Sequence, residues 1–226
     1  MNNLAIIPAR GGSKRILKKN IKYFLGKPII AYSIQAALDS ELFDEVMVST
    51  DDTEIADVAK KYGAKVPFLR SAKNSNDFAT TFEVIKEVIS CYKNRSLEFE
   101  NLLCLYSCAP FVNPSLLTRA YYQLIEKKFD SVFPIIPFSS PIQRALRVNH
   151  GKVSMIHEEN LNIRSQDLGK SYYDAGQFYW CKTEKVLKIE KLITLNSGAI
   201  KISELDAQDI DTEMDWTLAE LKYQLK

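Results

Sequence analysis

The strongest constraint on the fold is a set of short apolar runs with almost no charge in them: "LAIIPA" (residues 4–9), "EVMVST" (45–50), "NLLCLYS" (101–107) and "SVFPIIP" (131–137). Each has the length of a strand. Continuous rather than alternating apolar character belongs to strands buried on both faces. Between them lie segments with helical spacing. These are "KPIIAYSIQAAL" (27–38), with Pro28 suited to its first turn, and "DTEIADVAKKYG" (52–63), with Gly63 as its stop. "TTFEVIKEVISCY" (80–92) and "NPSLLTRAYYQLIEK" (113–127), with Asn113 as N-cap, complete the set. "VPFL" (66–69) reads as a further short strand. Strands alternating with helices require a mostly parallel sheet covered on both faces. The expectation is a doubly wound α/β fold, with residues 1–226 forming one domain.

The alternation breaks after Pro137. "QRALRVNHGKVSMI" (143–156) reads as two strands around an Asn-His-Gly turn, and the chain stays polar and irregular to Gly169. Residues 138–174 are therefore expected to be an insertion on the sheet, a β-rich dimerisation arm or a lid over a substrate. "AGQFYWCK" (175–182) resumes strand character, and "DIDTEMDWTLAELKYQ" (209–224) is acidic and then an amphipathic helix.

Open α/β sheets bind ligands at the carboxyl ends of their strands. The loop leaving the first strand is "ARGGSKRILKKN" (9–20). Its glycines let the backbone approach a ligand, and successive N–H groups in such a loop form an anion nest. Arg10, Lys14, Arg15, Lys18 and Lys19 add cations. The loop meets neither the Walker pattern nor G-x-G-x-x-G, so the residues alone define a phosphate-binding loop of no standard kind. Arg15 and Lys18 read as a solvated basic turn, whereas Arg10, directly after a buried strand, reads as a ligand residue. In an extended "DIDTEMD", Asp209 and Asp211 share a face and form a half-site for Mg²⁺, which takes one or two carboxylates plus substrate phosphates. The alternative is that Asp211 or Thr212 caps the last helix, with Asp215 in its first turn.

Composition narrows the partners. Thirty basic against 28 acidic residues leave a net charge of +2, which argues against a nucleic-acid partner. The four cysteines show no C-x-x-C spacing, and their apolar surroundings suit buried reduced thiols. The two histidines, His150 and His157, fall in the irregular segment and support neither a triad nor a zinc site. No apolar run is long enough to span a bilayer, and Met1, Asn2 and Asn3 lead into a strand without a signal-peptide pattern, so a cytoplasmic protein is expected.

"IIPARGGSKRILKKNIKYFLGKPIIAYSI" resembles the first motif of the CMP-sialic acid synthetase family, the cytidylyltransferases that activate nonulosonic acids. "VMVSTDD", "FLRSAKNSNDFATT", "YSCAPFVNP" and "DIDTEMDW" follow in the family's order. The resemblance implies Mg²⁺-dependent transfer of CMP from CTP to a 2-keto sugar acid with release of pyrophosphate. It implies that Arg10, Gly11, Ser13 and Lys14 hold the triphosphate, that Arg10 and Lys19 are catalytic, that Asn20, Arg70 and Thr80 recognise the cytidine, and that Asp209 and Asp211 hold the metal. Read from the residues alone, Thr80 is a helix cap and Arg70 a surface cation.

Two departures bear on the sugar. Tyr106 in "LYSCAPFV" replaces the Gln of the family's "LQPTSPLR", and Ala175 replaces an Asn. "PFSSPIQRALR", "IRSQDL" and "DAGQFYW" are similar to the branch that activates pseudaminic acid, a sugar used to decorate flagellin and surface polysaccharides. That sugar calls for an apolar and aromatic pocket. Tyr106, Tyr173 and Gln177, with Phe138, Phe178 and Trp180, are the candidates, and Arg164 is the candidate partner of the sugar carboxylate. Legionaminic, N-acetylneuraminic and 3-deoxy-octulosonic acids are the runners-up. Rival readings are a nucleotide-binding regulator without turnover and an interaction module built on the 138–174 segment.

Overall fold

The computed structural model describes residues 2–226; Met1 and the sequence expectation that involves it lie outside. The first strand, β1 (Asn3–Pro8), is buried along nearly its whole length. A short hairpin, β2 (Tyr23–Phe24) and β3 (Lys27–Pro28), precedes α1 (Ile29–Asp39). Pro28 ends β3 and occupies the N-cap, one residue before the first turn where the sequence put it. Then come β4 (Glu45–Ser49), α2 (Thr53–Lys61), α3 (Thr81–Lys93), β5 (Asn101–Leu105), α4 (Pro114–Glu126) and β6 (Ser131–Pro137). Gly63 ends α2 with a φ of 96°, and the Asn113 side chain caps α4, both as expected.

The sheet has seven strands. Its order is β11 (Ser197–Lys201), β6, β10 (Phe178–Lys182), β5, β1 and β4, with β9 (Tyr172–Asp174) also on β6. β4, β1 and β5 are parallel. β10 runs antiparallel between β5 and β6, and β11 closes the far edge parallel to β6. Alternation along the central strands builds two cores. Ala5, Ile7, Leu103 and Leu105 face α1 and α4, while Leu4, Ile6, Leu102 and Cys104 face α3. The mixed α/β fold with a mostly parallel, doubly covered sheet is thereby present.

Three expectations need correction, and two elements went unread. "VPFL" is no strand: only Lys65 bridges to Met47, because Pro67 has no N–H for a ladder and Leu69 is left exposed. The insertion is shorter than 138–174, because Tyr172–Asp174 forms β9 against β6 and rejoins the main sheet. Phe178 and Trp180 are fully buried between the helices and the sheet, so neither faces a ligand. Finally, α5 (Thr183–Ile189) and β11 gave little signal in the sequence, since one is short and the other contains Gly198 packed under Phe129.

Residues 138–171 are mostly exposed, and they include the hairpin β7 (Leu146–Asn149) and β8 (Lys152–Met155). His150 and Gly151 both have positive φ, 46° and 76°, as a two-residue primed turn requires. The chain ends in α6 (Glu213–Gln224), whose Trp216 and Ala219 pack with Ile16, Phe24 and Ile210 in a separate cluster beneath the basic loop.

Candidate active site

The loop after β1 is held by its own neighbours. Gly11 donates its N–H to Asp51 Oδ1 at 3.0 Å, and a Cβ there would lie 2.7 Å from Asp52 Oδ2, so no other residue fits without displacing the N-cap of α2. Asn20 is buried. Its Nδ2 donates to Arg10 O at 2.8 Å, and its Oδ1 accepts from Ser107 Oγ at 2.7 Å. The basic loop is thus sewn to the end of β5.

Together these elements enclose a cavity of about 570 Å³ at the carboxyl ends of β1 and β5. Arg10, Ser13, Lys14, Lys19, Asn20 and Arg70 line one part of it, and Tyr106, Asp209 and Asp211 line another. Nine residues assigned by resemblance, far apart in sequence, therefore meet on one surface.

Each cation already has a partner. Arg10 Nη1 lies 2.8 Å from Asp77 Oδ1, and Lys14 pairs with the other oxygen of the same carboxylate. Lys19 Nζ donates to Ile210 O at 2.6 Å and lies 3.5 Å from Asp211 Oδ1. Arg15, taken from the sequence as a solvated turn residue, lines the cavity and lies 2.9 Å from Asp211 Oδ1. Lys18 does stay outside, paired with Glu54.

Arg70 is buried rather than a surface cation, and it donates to Ser49 Oγ at 3.0 Å and to the Ser49 carbonyl. Burial lowers its pKa from the usual guanidinium value. The same effect raises the Tyr106 hydroxyl, and it pushes the Cys108 thiol up to about 11.

Asp209 stands open to water on the cavity wall, yet crowding by the surrounding protein, and then repulsion from Asp211, raise its carboxyl above the ordinary range. Gly176, at a φ of 63°, turns between β9 and β10 against Asp209: a Cβ there would touch its carboxyl carbon at 3.7 Å. Among the described residues no cluster of three or more metal-ligating side chains occurs. Two neighbouring carboxylates that repel each other, facing a wall of cations, suit Mg²⁺ bound largely through substrate phosphates. The cap read from the sequence is also present, through Thr212 rather than Asp211: Thr212 caps α6 in a capping box with Asp215, which occupies neither the Asp209 nor the Asp211 side chain.

Several sequence candidates lie elsewhere. Thr80 caps α3 in a reciprocal box with Glu83, and its neighbour Thr81 lines the cavity instead. Gln177 is buried behind the wall with its Nε2 on Asp206 O. Tyr173 packs on Phe138 with ring centroids 4.9 Å apart, away from the cavity. Arg164 is exposed in the inserted segment and doubly bonded to Asp167, at 2.7 and 3.2 Å. Sequence reasoning missed Asp77, Ser107 and Cys108 as cavity residues. Asp77 carried a signal in the motif "NSNDFATT", but nothing in its spacing tells which cations it meets.

A family model described as cytidylyltransferase matches residues 4–214. Pseudaminic acid cytidylyltransferase of Campylobacter jejuni is 42% identical over 226 residues, covering 100% of this chain and 97% of that protein. CMP-N,N'-diacetyllegionaminic acid synthase of Legionella pneumophila is 31% identical over 223 residues, covering 97% and 95%. Among solved structures, a CMP:2-keto-3-deoxy-manno-octonic acid synthetase complexed with CTP superposes with a TM-score of 0.72 at 16% identity, covering 100% of this chain and 98% of that one. The family match spans the chain from the basic loop after β1 to the acidic pair before α6, and the chain belongs to the cytidylyltransferase family.

Proposed function

We propose that this chain transfers CMP from CTP to the anomeric hydroxyl of a nonulosonic acid, and that the acid is pseudaminic acid. The observation that carries the reading is the single cavity in which Arg10, Lys14 and Lys19 face Asp209 and Asp211. The 42% identity to a pseudaminic acid cytidylyltransferase supports the choice of sugar. Tyr106 supports it as well, as an aromatic wall residue.

The anomeric oxygen attacks the α-phosphorus of CTP. The bond from that phosphorus to the bridging oxygen breaks, pyrophosphate leaves with the electron pair, and the hydroxyl proton passes to solvent. Arg10, Ser13 and Lys14 hold the triphosphate, exchanging the Asp77 carboxylate for phosphate oxygens. Lys19, fixed by the Ile210 carbonyl, neutralises charge growing on the leaving group. Arg70 and Asn20, both buried, offer fixed polar edges to the cytosine and ribose. Bound Mg²⁺, held by Asp209 and Asp211 with the phosphates, would supply further charge stabilisation at the pyrophosphate.

The inserted segment serves as a homodimer arm in this reading. Val148 and Val153 pair across its hairpin and are 67% and 61% exposed, which leaves apolar surface for a second copy. Among the described residues no helix is long and apolar enough to cross a membrane. The cytoplasm, where nucleoside triphosphates are made, is the proposed compartment.

Pyrophosphate release with CTP and Mg²⁺, measured against pseudaminic, legionaminic, N-acetylneuraminic and 3-deoxy-octulosonic acids, tests the proposal. Strong preference for pseudaminic acid is expected. Preference for another acid would overturn the sugar assignment and keep the chemistry. CTP binding without turnover on any of them would favour the regulator.

A further inference from the structure

A second cavity, of about 620 Å³, lies where β5 begins and β10 ends, at the opposite end of these strands from the basic loop. Cytidylyl transfer makes no use of it. Its volume falls within the range of small-molecule sites, roughly 300–1,000 Å³. The wall is largely apolar, with Ile89, Tyr92, Leu97, Phe99, Phe129 and Leu187 contributing. Around it, four lysines are matched by four carboxylates, and Lys182 lies 3.8 Å from Glu100. A polyanion such as a nucleotide finds no net positive charge there, in contrast to the catalytic cavity.

One polar group on this wall is unmatched. Thr183 is 7% exposed, and its hydroxyl has no hydrogen-bond partner. Buried hydroxyls are nearly always paired, so this one, lining a cavity, is a group that an occupant of the cavity can meet. The residue is fixed there, because its N–H donates to Glu100 O at 3.0 Å.

We propose that this distal cavity is a second ligand site, for a small uncharged molecule with an apolar, aromatic-sized body and one hydrogen-bonding group that Thr183 meets. The site stands independently of the cytidylyl reading, because no residue is shared between the two cavity walls. One helix nevertheless lines both, and two strands connect their walls. α3 carries Val84 to one and Tyr92 to the other; β5 runs from Glu100 toward Tyr106; and β10 leads from Gln177, whose carbonyl accepts from Tyr106 N, to Lys182. A ligand at the distal end therefore rests on the elements that frame the catalytic cavity.

Indole, a neutral aromatic with one N–H donor, is the probe. It is titrated into the ¹⁵N-labelled full chain while the amides of Phe99, Thr183 and Leu187 are followed, with and without saturating CTP. Saturable shifts at those amides, undiminished by CTP, are expected. Thr183→Val should weaken binding about tenfold, in line with a single hydrogen bond, and Thr183→Ser should restore it. Leu187→Trp should abolish binding by filling the space. Pyrophosphate release without indole should be unchanged in all three variants. Equal affinity in the Val and Ser variants, shifts scattered over the surface, or displacement by CTP with shifts at Asn20 would each overturn the proposal.

Discussion

The basic loop and the inserted hairpin are both polar stretches attached to the same sheet, yet they are held in opposite ways. In residues 9–20 the groups that set the loop's path are tied to other elements: Gly11 to Asp51, Asn20 to Arg10 and Ser107, and Lys19 to Ile210. In β7 every residue is exposed, and the hairpin's bonds run mainly within the segment. The difference is one of placement. The loop crosses the end of a buried strand, where unpaired polar groups are costly, so its neighbours satisfy them and hold a fixed charge pattern. The hairpin extends into water, where nothing is lost by leaving its groups solvated. Rigid charge placement suits transition-state stabilisation, whereas exposed apolar pairs suit association with another surface.

The sharpest way to break this comparison is Lys19→Ala. If the loop acts through prepositioned charge, turnover should fall about 100- to 1,000-fold, with a much smaller loss in CTP affinity. Steady-state pyrophosphate release beside CTP titration calorimetry measures both, and an unchanged turnover would make the loop merely well packed. Arg70→Ala comes next. It leaves the buried Ser49 hydroxyl without its donor and the Ser49 carbonyl with the Ala9 N–H alone, so a stability loss of about 2 kcal/mol is expected in urea unfolding, together with weakened CTP binding. A loss in only one of the two would separate its structural from its binding role.

Thr80→Ala should cost about 1 kcal/mol through the lost cap on α3 while leaving CTP affinity within a factor of two. A selective loss of CTP affinity at full stability would return Thr80 to the nucleotide site.

Val148→Asp with Val153→Asp should leave far-UV circular dichroism and CTP binding intact and convert a dimer to monomers by light scattering. An unchanged mass would remove the arm from assembly.

The smallest effect on folding stability is expected from Asp209→Asn. The Asp209 carboxyl is raised in the folded chain, so its charged form is disfavoured by folding. That penalty is absent below the unfolded value of about 3.9, where both states are protonated, and it sets in as pH rises through the folded pKa. The variant should therefore melt slightly higher than the parent at pH 7 without Mg²⁺, and equally near pH 3.

Much of the fold was legible because burial on both faces leaves no choice of side chain: "LAIIPA" and "NLLCLYS" are strands in any environment that hides them. What escaped was weakly patterned. β11 contains Gly198, and β9 was taken as part of the insertion because its pairing with β6 is non-local. In the site, the loop and the acidic pair were readable from charge and spacing joined to a family resemblance. Arg15 was not, since a basic turn looks the same whether water or Asp211 meets it. Aromatic residues of "DAGQFYW" misled for a related reason: strand alternation does not say which face borders a cavity, and burial took Phe178 and Trp180 into the core.

The sequence by itself determined the strand-and-helix order, the loop that concentrates cations and the pair of carboxylates, because these depend on local composition and period. Only the tertiary structure decided which cation faces which carboxylate, that Arg70 is buried while Thr80 is spent on a cap, and that β10 runs antiparallel through the sheet. Those outcomes rest on contacts between residues as far apart as Lys19 and Ile210. Such contacts exist only once the strands have closed into one sheet and excluded water from between them.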